Sequence, residues 1–312
     1  SSPAEDLARL VLSGDTGALA RSLSLIIDES GEADVLIRSF FPKSGSAQKI
    51  GICGPPGAGK STLTGRLVAL YRKAGLKVGV LAVDPSSPIS GGAFLGDRLR
   101  IQDHATDSGV FIRSLATRGM VGGVSHTIFG AIHALEAWGC DRIVVETVGT
   151  GQDEVVIARV ADTVVYVTTP TMGDEIQAMK AGVMEVADLF VVNKADLSGA
   201  HKAISDLKTA LGLGREAGCG GWQTPVLGIS ALSGQGLPEL LAGLDEHARH
   251  LRDSGEGRER LKRQYREEVS LYVSRRVYQD ALSQMDSHLD ELVDHKSDPP
   301  SVAARMLRGG AN

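Results

Sequence analysis

At 312 residues, with 42% hydrophobic and 23% charged residues, the chain can bury one or two cores and has a globular composition. The formal net charge of −5 excludes a broad basic surface for nucleic acid, and no apolar run approaches the roughly 18 residues that a membrane span needs. Three separated cysteines and eight scattered histidines argue against a disulfide framework or a zinc site, and they favour a reducing, cytoplasmic location.

The first 45 residues predict a helical extension. Apolar residues recur at helical spacing from Leu7 to Ile26, and Asp15 and Thr16 beside Gly14 mark a turn between two helices. Residues 42–46 are then interpreted as a short linker.

Residues 46–252 predict an α/β domain, because short β-branched runs alternate with helical stretches. Several runs are apolar nearly throughout, which is typical of strands buried on both faces of a parallel sheet. The expected fold has a mostly parallel, doubly wound sheet, and the G-x-x-x-x-G-K-[ST] motif from Gly54 to Ser61, after the first predicted strand, makes the expected fold a P-loop NTPase. The predicted strands are 49–53, 77–83, 110–114, 141–146, 163–168, 188–193 and 225–229.

The first predicted strand runs into a G-x-x-x-x-G-K-[ST] phosphate loop, and a helix-forming run follows it. Its glycines allow the backbone to curl around a polyphosphate, and the helix N-terminus favours the anion. Lys60 is expected to reach the β- and γ-phosphates, and the Ser61 hydroxyl to join a Mg²⁺ shell. The predicted nucleotide-binding residues of this loop are Gly54, Pro55, Pro56, Gly57, Ala58, Gly59, Lys60, Ser61 and Thr62.

Carboxylates follow the next strands along the chain. Asp84 and Glu146 end strands beside the loop, at the edge where open α/β sheets bind ligands. With Ser61 and Asp97 they form the predicted metal set, although Asp97 could instead cap a helix. Lys60, Asp84 and Glu146 are the predicted catalytic residues, and the segment 147–154 is expected to rearrange when the γ-phosphate leaves.

Two later segments predict that the base is guanine. Asn193, Lys194 and Asp196 form Asn-Lys-x-Asp at the end of a strand, where the Asp196 carboxylate can accept hydrogen bonds from guanine N1–H and N2. Adenine offers no such pair of donors, so GTP is preferred over ATP. The segment Ser230, Ala231 and Leu232 follows the last strand and can direct a backbone N–H at the base oxygen O6.

The tail, residues 253–312, predicts a helical arm. Residues 256–283 are charged and helical with an apolar stripe along one side. Asp298-Pro299-Pro300 is interpreted as a break before a last short helix at 302–307. The stripe must pack either on the chain's own domain or on a partner subunit.

Together these motifs resemble one family of GTPases. Glu146-Thr-Val-Gly149 replaces the Asp-x-x-Gly of Ras-like proteins, as in the metallochaperone branch of GTPases related to signal recognition and MinD proteins. With the phosphate loop, Val83-Asp-Pro-Ser-Ser-Pro88, Gly96-Asp-Arg-Leu-Arg100 and Ala116-Thr-Arg-Gly119, it is similar to the MeaB/ArgK family, which includes the human homologue MMAA. The resemblance covers roughly residues 5 to 285.

The resemblance implies a Mg²⁺-dependent GTPase that chaperones adenosylcobalamin-dependent methylmalonyl-CoA mutase. Such a protein gates cofactor loading and helps to exchange inactivated cofactor, without binding cobalamin directly. The resemblance also implies a homodimer held through the C-terminal arm, and a further switch at residues 171–180. No nucleic-acid or membrane partner is expected.

Three alternatives stay open at this point. A nickel-delivery GTPase belongs to the same branch, but its His-rich or paired Cys/His segments are missing from this sequence. A kinase of a transport protein, an older label of the family, would need an acceptor groove that the sequence does not reveal. A scaffold with purely structural GTP is the third.

Overall fold

The computed structural model describes residues 2–84, 107–116, 126–147, 154–171, 181–214 and 221–309. The chain divides into two compact units, Ser1–Leu261 and Lys262–Asn312. The described helices are α1 (Pro3–Leu12), α2 (Thr16–Ile27), α3 (Ala33–Phe40), α4 (Lys60–Lys73), α5 (His126–Ala137), α6 (Glu154–Val160), α7 (Ala181–Val186), α8 (Ala200–Gly214), α9 (Leu237–Ser254), α10 (Glu256–Val293) and α11 (Pro299–Gly309). The strands are β1 (Gln48–Cys53), β2 (Val78–Asp84), β3 (Val110–Ala116), β4 (Arg142–Thr147), β5 (Thr163–Thr168), β6 (Leu189–Val192) and β7 (Val226–Gly228).

The seven strands form one sheet in the order β3-β2-β4-β1-β5-β6-β7, and each neighbouring pair is parallel. All seven predicted strands are present, each within about two residues of its predicted ends, so the α/β fold class is confirmed. The sequence allowed this because β5 and β6 are buried along their whole length and therefore carry largely apolar side chains.

The strand order places β1 at the centre of the sheet. The chain visits β2, β3 and β4 on one side of β1 and then β5, β6 and β7 on the other. In an open α/β sheet a ligand binds at such a switch point, outside the carboxyl ends of the strands. The phosphate loop follows β1, Asp84 and Glu146 lie at the ends of β2 and β4, and Asn193 follows β6. The topology thus gathers the predicted motifs at one edge.

The N-terminal extension differs from its prediction. Residues 2–43 contain three helices rather than two, because the chain turns again at Glu29, which adopts a left-handed conformation with φ 52°. Leu36 and Phe40 continue the apolar pattern beyond this turn. The sequence pattern therefore gave no sign of the turn. Residues 41–43 form one turn of 3₁₀ helix, which takes up the first two residues of the predicted linker at 42–46. Helices α2 and α3 cover α5, whose residues are all buried.

The tail also departs from its prediction. Helix α10 continues to Val293 instead of ending at residue 283. Pro299 and Pro300 begin α11 rather than precede it, because proline fits the first helical turn and the Asp298 carboxylate accepts a hydrogen bond from the Ser301 N–H at 2.9 Å. No helix among the described residues combines the length and apolar character needed to cross a bilayer.

Candidate nucleotide-binding site

The phosphate loop between β1 and α4 depends on glycine at two crowded positions. Gly54 and Gly59 have φ angles of 135° and 90°, which side chains rarely adopt. A Cβ on Gly54 would lie 2.1 Å from the carbonyl oxygen of Val167, and one on Gly59 would lie 2.3 Å from Nδ2 of Asn193. The loop therefore packs directly against β5 and the Asn193 side chain, and larger residues would displace it.

Lys60 is the first residue of α4 and is 8% exposed. Its ammonium group donates hydrogen bonds to the carbonyl oxygens of Gly54 at 2.7 Å and Pro55 at 3.1 Å. These contacts hold the positive charge inside the curve of the loop, at the N-terminus of a helix. Both features favour a bound anion.

Asn193 links the two halves of the site. Its Nδ2 donates to the Ala58 carbonyl oxygen at 2.8 Å, and its Oδ1 accepts from the Ala231 N–H at 3.0 Å. These two bonds tie the phosphate loop to the segment that follows β7. The adjacent Lys194 has φ 58° and donates from Nζ to the Gly57 carbonyl oxygen at 3.1 Å. Two side chains of the Asn-Lys-x-Asp segment thus form hydrogen bonds to the phosphate loop.

Arg66 is a residue that sequence reasoning missed. It lies two turns into α4, and its guanidinium donates to the carbonyl oxygens of Ala231 at 2.8 Å and Leu232 at 2.6 Å. These bonds fix the segment expected to back the base. A single arginine on a helix carries no motif, and only its spacing of six residues from Lys60 could have drawn attention to it.

A cavity of about 390 Å³ lies between these elements. It brings together most of the predicted nucleotide-binding residues from three separate parts of the sequence, and Thr147 and Leu197 in addition. Gly54, Pro55 and Ala58 contribute carbonyl oxygens to Lys60 and Asn193 instead. The predicted residues that line the cavity are Pro56, Gly57, Gly59, Lys60, Ser61, Thr62, Asn193, Lys194, Asp196, Ser230, Ala231 and Leu232.

Glu146 lies beside this cavity in the core of the sheet. It is 1% exposed on β4, in register with Ile52 of β1 and Ala82 of β2. Its Oε2 accepts a hydrogen bond of 2.5 Å from the Thr64 hydroxyl of α4, and the next residue, Thr147, lines the cavity. The carboxylate is therefore fixed against the helix that follows the phosphate loop.

Several predicted residues lie at or beyond the limits of the description. The backbone of Asp84 ends β2 opposite Ala116 of β3. Asp97, Arg118, most of the segment 147–154 and nearly all of the proposed switch at 171–180 lie outside the described residues.

The oxygen donors near the loop suit magnesium rather than a softer metal. Within the described ranges no group of three or more His, Cys, Asp and Glu side chains could hold a metal by itself. Mg²⁺ in nucleotide sites needs only one or two protein oxygens in addition to phosphate and water. The Ser61 hydroxyl on the cavity wall can supply one of them.

Comparison with known proteins shows which family the chain resembles. The family model described as "Methylmalonyl Co-A mutase-associated GTPase MeaB" matches residues 19–286. A Pyrococcus horikoshii protein that carries the word GTPase in its name is 44% identical over 309 residues, 98% of each chain. The mouse protein named methylmalonic aciduria type A homolog, mitochondrial, is 39% identical over 211 residues, 67% of this chain and 51% of that protein.

A solved structure has the same architecture. The crystal structure of a protein named LAO/AO transport system kinase superposes with a TM-score of 0.72 at 27% sequence identity, covering 99% of this chain and 98% of that one. The aligned residues include the helices that precede and follow the sheet domain in the sequence, as well as the sheet itself.

Proposed function

We propose, from the premise that this chain belongs to the MeaB family of methylmalonyl-CoA mutase-associated GTPases, that its GTPase cycle controls a cobalamin-dependent mutase. The chain is a GTPase, as its family and its named relatives are. Its client is methylmalonyl-CoA mutase, whose adenosylcobalamin loading it gates and whose inactivated cofactor it helps to exchange. The family match over residues 19–286 is the observation that carries this proposal.

The residues of the site have distinct roles in hydrolysis. The phosphate-loop amides and Lys60 bind the phosphates, Asn193 orients the two loops, and Asp196 selects guanine. Ser61 and Asp84 are the proposed protein donors to Mg²⁺, with Asp97 as a further one. When it is bound with the nucleotide, Mg²⁺ neutralises part of the negative charge of the phosphates.

Glu146 orients the attacking water, and it would be a further donor to Mg²⁺ when that ion is bound. Its position favours this role, because the Thr64 hydroxyl holds the carboxylate in one orientation beside the loop. No arginine finger was evident in the sequence, so intrinsic hydrolysis should be slow and the mutase should stimulate it.

The decisive experiment measures GTP hydrolysis with and without purified methylmalonyl-CoA mutase, alongside size-exclusion chromatography of the mixture. We expect a stable complex and a faster rate in its presence. The Lys60→Ala variant should lose the nucleotide control of complex formation, whereas a scaffold with purely structural GTP would be indifferent to it. A mixture with neither complex nor rate change in any nucleotide state would remove the mutase role and leave the GTPase intact.

Two other functions are less well supported. A nickel carrier would need a metal-holding cluster, and the described part of the chain contains none. The similar crystal structure is of a protein named as a transport-system kinase, so transfer from [γ-³²P]GTP to a substrate-binding protein of such a system is worth measuring. Label on the acceptor protein would favour the kinase, and release of free phosphate alone favours the GTPase.

The organisation of the chain completes the proposal. Residues 1–45 form a helical extension, 46–252 the GTPase domain, and 253–312 an arm through which two copies pair. We place the protein in the cytoplasm and expect neither nucleic acid nor cobalamin to bind it directly.

A further inference from the structure

A second cavity lies at the opposite edge of the sheet from the nucleotide. Its volume is about 710 Å³, and we call it the basal cavity. Its walls are the segment 45–49 leading into β1, the first residues of β4 and β5, the last turns of α9 and the start of α10, all within the first unit. Cavities of this size commonly hold ligands the size of a nucleotide.

The basal cavity is strongly basic although the chain as a whole is acidic. Two carboxylates line it, Asp162 and Asp245, against a larger set of cations. A concave surface of one charge sign concentrates the field and attracts the opposite ion. The basic residues of the lining are Lys49, Arg142, Arg249, Arg252, Arg258 and Arg260.

Half of these cations are neutralised within the protein. Lys49 lies 3.1 Å from Asp162, Arg142 lies 3.7 Å from Asp245, and Arg260 lies 2.6 Å from Asp188. The guanidinium groups of the other three, Arg249, Arg252 and Arg258, are neither ion-paired nor hydrogen-bonded to any residue that the structure describes. They are the groups available to a ligand.

The helix geometry directs these residues to one place. Asp245, Ala248, Arg249 and Arg252 are spaced i, i+3, i+4 and i+7 on α9, which puts them on one face of that helix, and all four line the cavity.

We propose that the basal cavity binds a small phosphorylated anion, of the size and charge of a compound with a di- or triphosphate group. Guanidinium groups match phosphate oxygens with paired hydrogen bonds, which an ammonium cannot do. One carboxylate would neutralise only one of the three unpaired guanidinium groups. A diphosphate carries about three negative charges at neutral pH and would neutralise all three.

The test is calorimetric titration of pyrophosphate into the full-length protein saturated with GDP and excess Mg²⁺, so that the phosphate loop is occupied. We expect saturable binding at one site per chain. Arg249→Gln and Arg252→Gln should each weaken it by about tenfold, the loss of one charged hydrogen bond. Asp245→Asn should strengthen it several-fold, because it removes a carboxylate from the lining.

Two controls keep the result interpretable. Arg38→Gln removes another exposed, unpaired arginine, on α3 away from the cavity, and should leave binding unchanged. Lys60→Ala should also leave it unchanged, because Lys60 belongs to the other edge of the sheet. Thermal melting without pyrophosphate checks that each variant folds.

Binding that Lys60→Ala abolishes and the α9 variants preserve would overturn the proposal, since the probe would then occupy the phosphate loop. Weak binding that all arginine variants share equally would mean an adventitious ion only. That outcome, or no binding at all, would also overturn it.

Discussion

At the scale of single residues, the Thr64 hydroxyl helps to orient Glu146. Thr64 and Glu146 are 0% and 1% exposed, and the hydrogen bond between them is 2.5 Å long. When a buried carboxylate loses a hydrogen-bond donor, the free-energy cost of its desolvation stays and part of the interaction that offset this cost is lost. Thr64 therefore matters both for stability and for the direction in which the carboxylate points.

Thr64→Val removes this bond while nearly preserving the side-chain shape. We expect the free energy of unfolding to fall by about 1–3 kcal/mol. GTP hydrolysis should fall by about ten- to a hundredfold, because a displaced catalytic group loses its alignment. GTP affinity should change little, since the phosphate-loop amides and Lys60 are untouched.

Urea unfolding and single-turnover hydrolysis measure the two effects of Thr64→Val separately. Thr64→Ser keeps the hydroxyl and should retain most of the activity. If Thr64→Val hydrolysed GTP at the normal rate, the proposed role of Glu146 would be wrong.

The proposed selection of guanine rests on Asp196, which lines the nucleotide cavity. Asp196→Asn exchanges one acceptor oxygen for a donor amide. The variant should lose GTP affinity by at least about a hundredfold, because one charge-assisted bond disappears and another weakens. Xanthosine triphosphate has a carbonyl where guanine has the N2 amine, so it should bind the variant better than GTP.

Competition with a fluorescent guanine nucleotide measures the preference of the Asp196→Asn variant. Asp206→Asn, an exposed carboxylate on α8, is the matched control and should leave the nucleotide preference unaltered. A variant that still preferred GTP over xanthosine triphosphate would place the base elsewhere.

At the scale of elements, a buried ion pair joins the start of α10 to β6. Asp188 immediately precedes β6 and is 6% exposed, and Arg260 donates to both of its carboxylate oxygens, at 2.6 and 2.8 Å. The carboxylate also accepts from the Val164 N–H, and its Oδ1 lies 3.3 Å from Nε2 of His247. Burial alone would raise the pKa of Asp188, but the hydrogen bonds from Arg260 and His247 outweigh it and lower the pKa to about 2.

The direction of this shift sets a pH dependence. A carboxyl whose pKa is lower in the folded state stabilises the fold above its unfolded pKa of about 4. Asp188 should lose that contribution as the pH falls from about 4 to about 2. Arg260→Gln leaves a buried carboxylate without its main partner. The free energy of unfolding at pH 7 should therefore fall by about 3–5 kcal/mol.

Urea unfolding at pH 7 and at pH 3 tests the Arg260 prediction. The difference between Arg260→Gln and the parent protein should be smaller at pH 3, where part of the Asp188 carboxyl is protonated. The double variant Asp188→Asn with Arg260→Gln removes both charges and should recover part of the loss. An equal loss at both pH values would mean that Arg260 acts through packing alone.

The elements also show what sequence reasoning could and could not predict. Strands β5 and β6 were predictable because burial on both faces favours largely apolar residues. The phosphate loop was predictable because its steric and electrostatic demands select particular residues at fixed spacing. The break between α2 and α3 was not, because Leu36 and Phe40 preserve helical spacing across it.

Contacts between distant residues escaped prediction altogether. The Arg66 bonds to Ala231 and Leu232 span about 165 positions, and the Arg260–Asp188 pair spans 72. Neither arginine differs in sequence context from a solvated surface residue. Such pairs are determined by topology, which a local pattern does not contain.

At the scale of the whole molecule, the second unit exposes a row of apolar side chains. Tyr278, Leu282, Met285 and Leu289 of α10 are spaced by four, three and four residues, as in the seam of a coiled coil. Leu282 and Leu289 of this row are each 44% exposed. An apolar row of this length is expected to bury itself against another surface. A second copy of the same helix offers a self-complementary one.

Replacing Leu282 and Leu289 together by glutamate should therefore separate the proposed dimer into monomers. Burying two charges at a helix–helix seam is unfavourable, whereas glutamate is a good helix former and leaves α10 intact. Light scattering after size exclusion measures the mass, at several protein concentrations. GTP affinity should be preserved, because the nucleotide cavity is built entirely from residues of the first unit.

Arg276→Gln is the control for the arm, since it changes a charge on the same helix at a side chain that is 79% exposed. It should leave the dimer intact, and far-UV circular dichroism should match for all three proteins. A parent protein that is monomeric at micromolar concentrations would refute pairing through the arm. A double glutamate variant that stays dimeric would place the interface on another surface. If the variant is monomeric and still binds the mutase, the arm serves pairing only; if it no longer does, the client requires two GTPase domains held together.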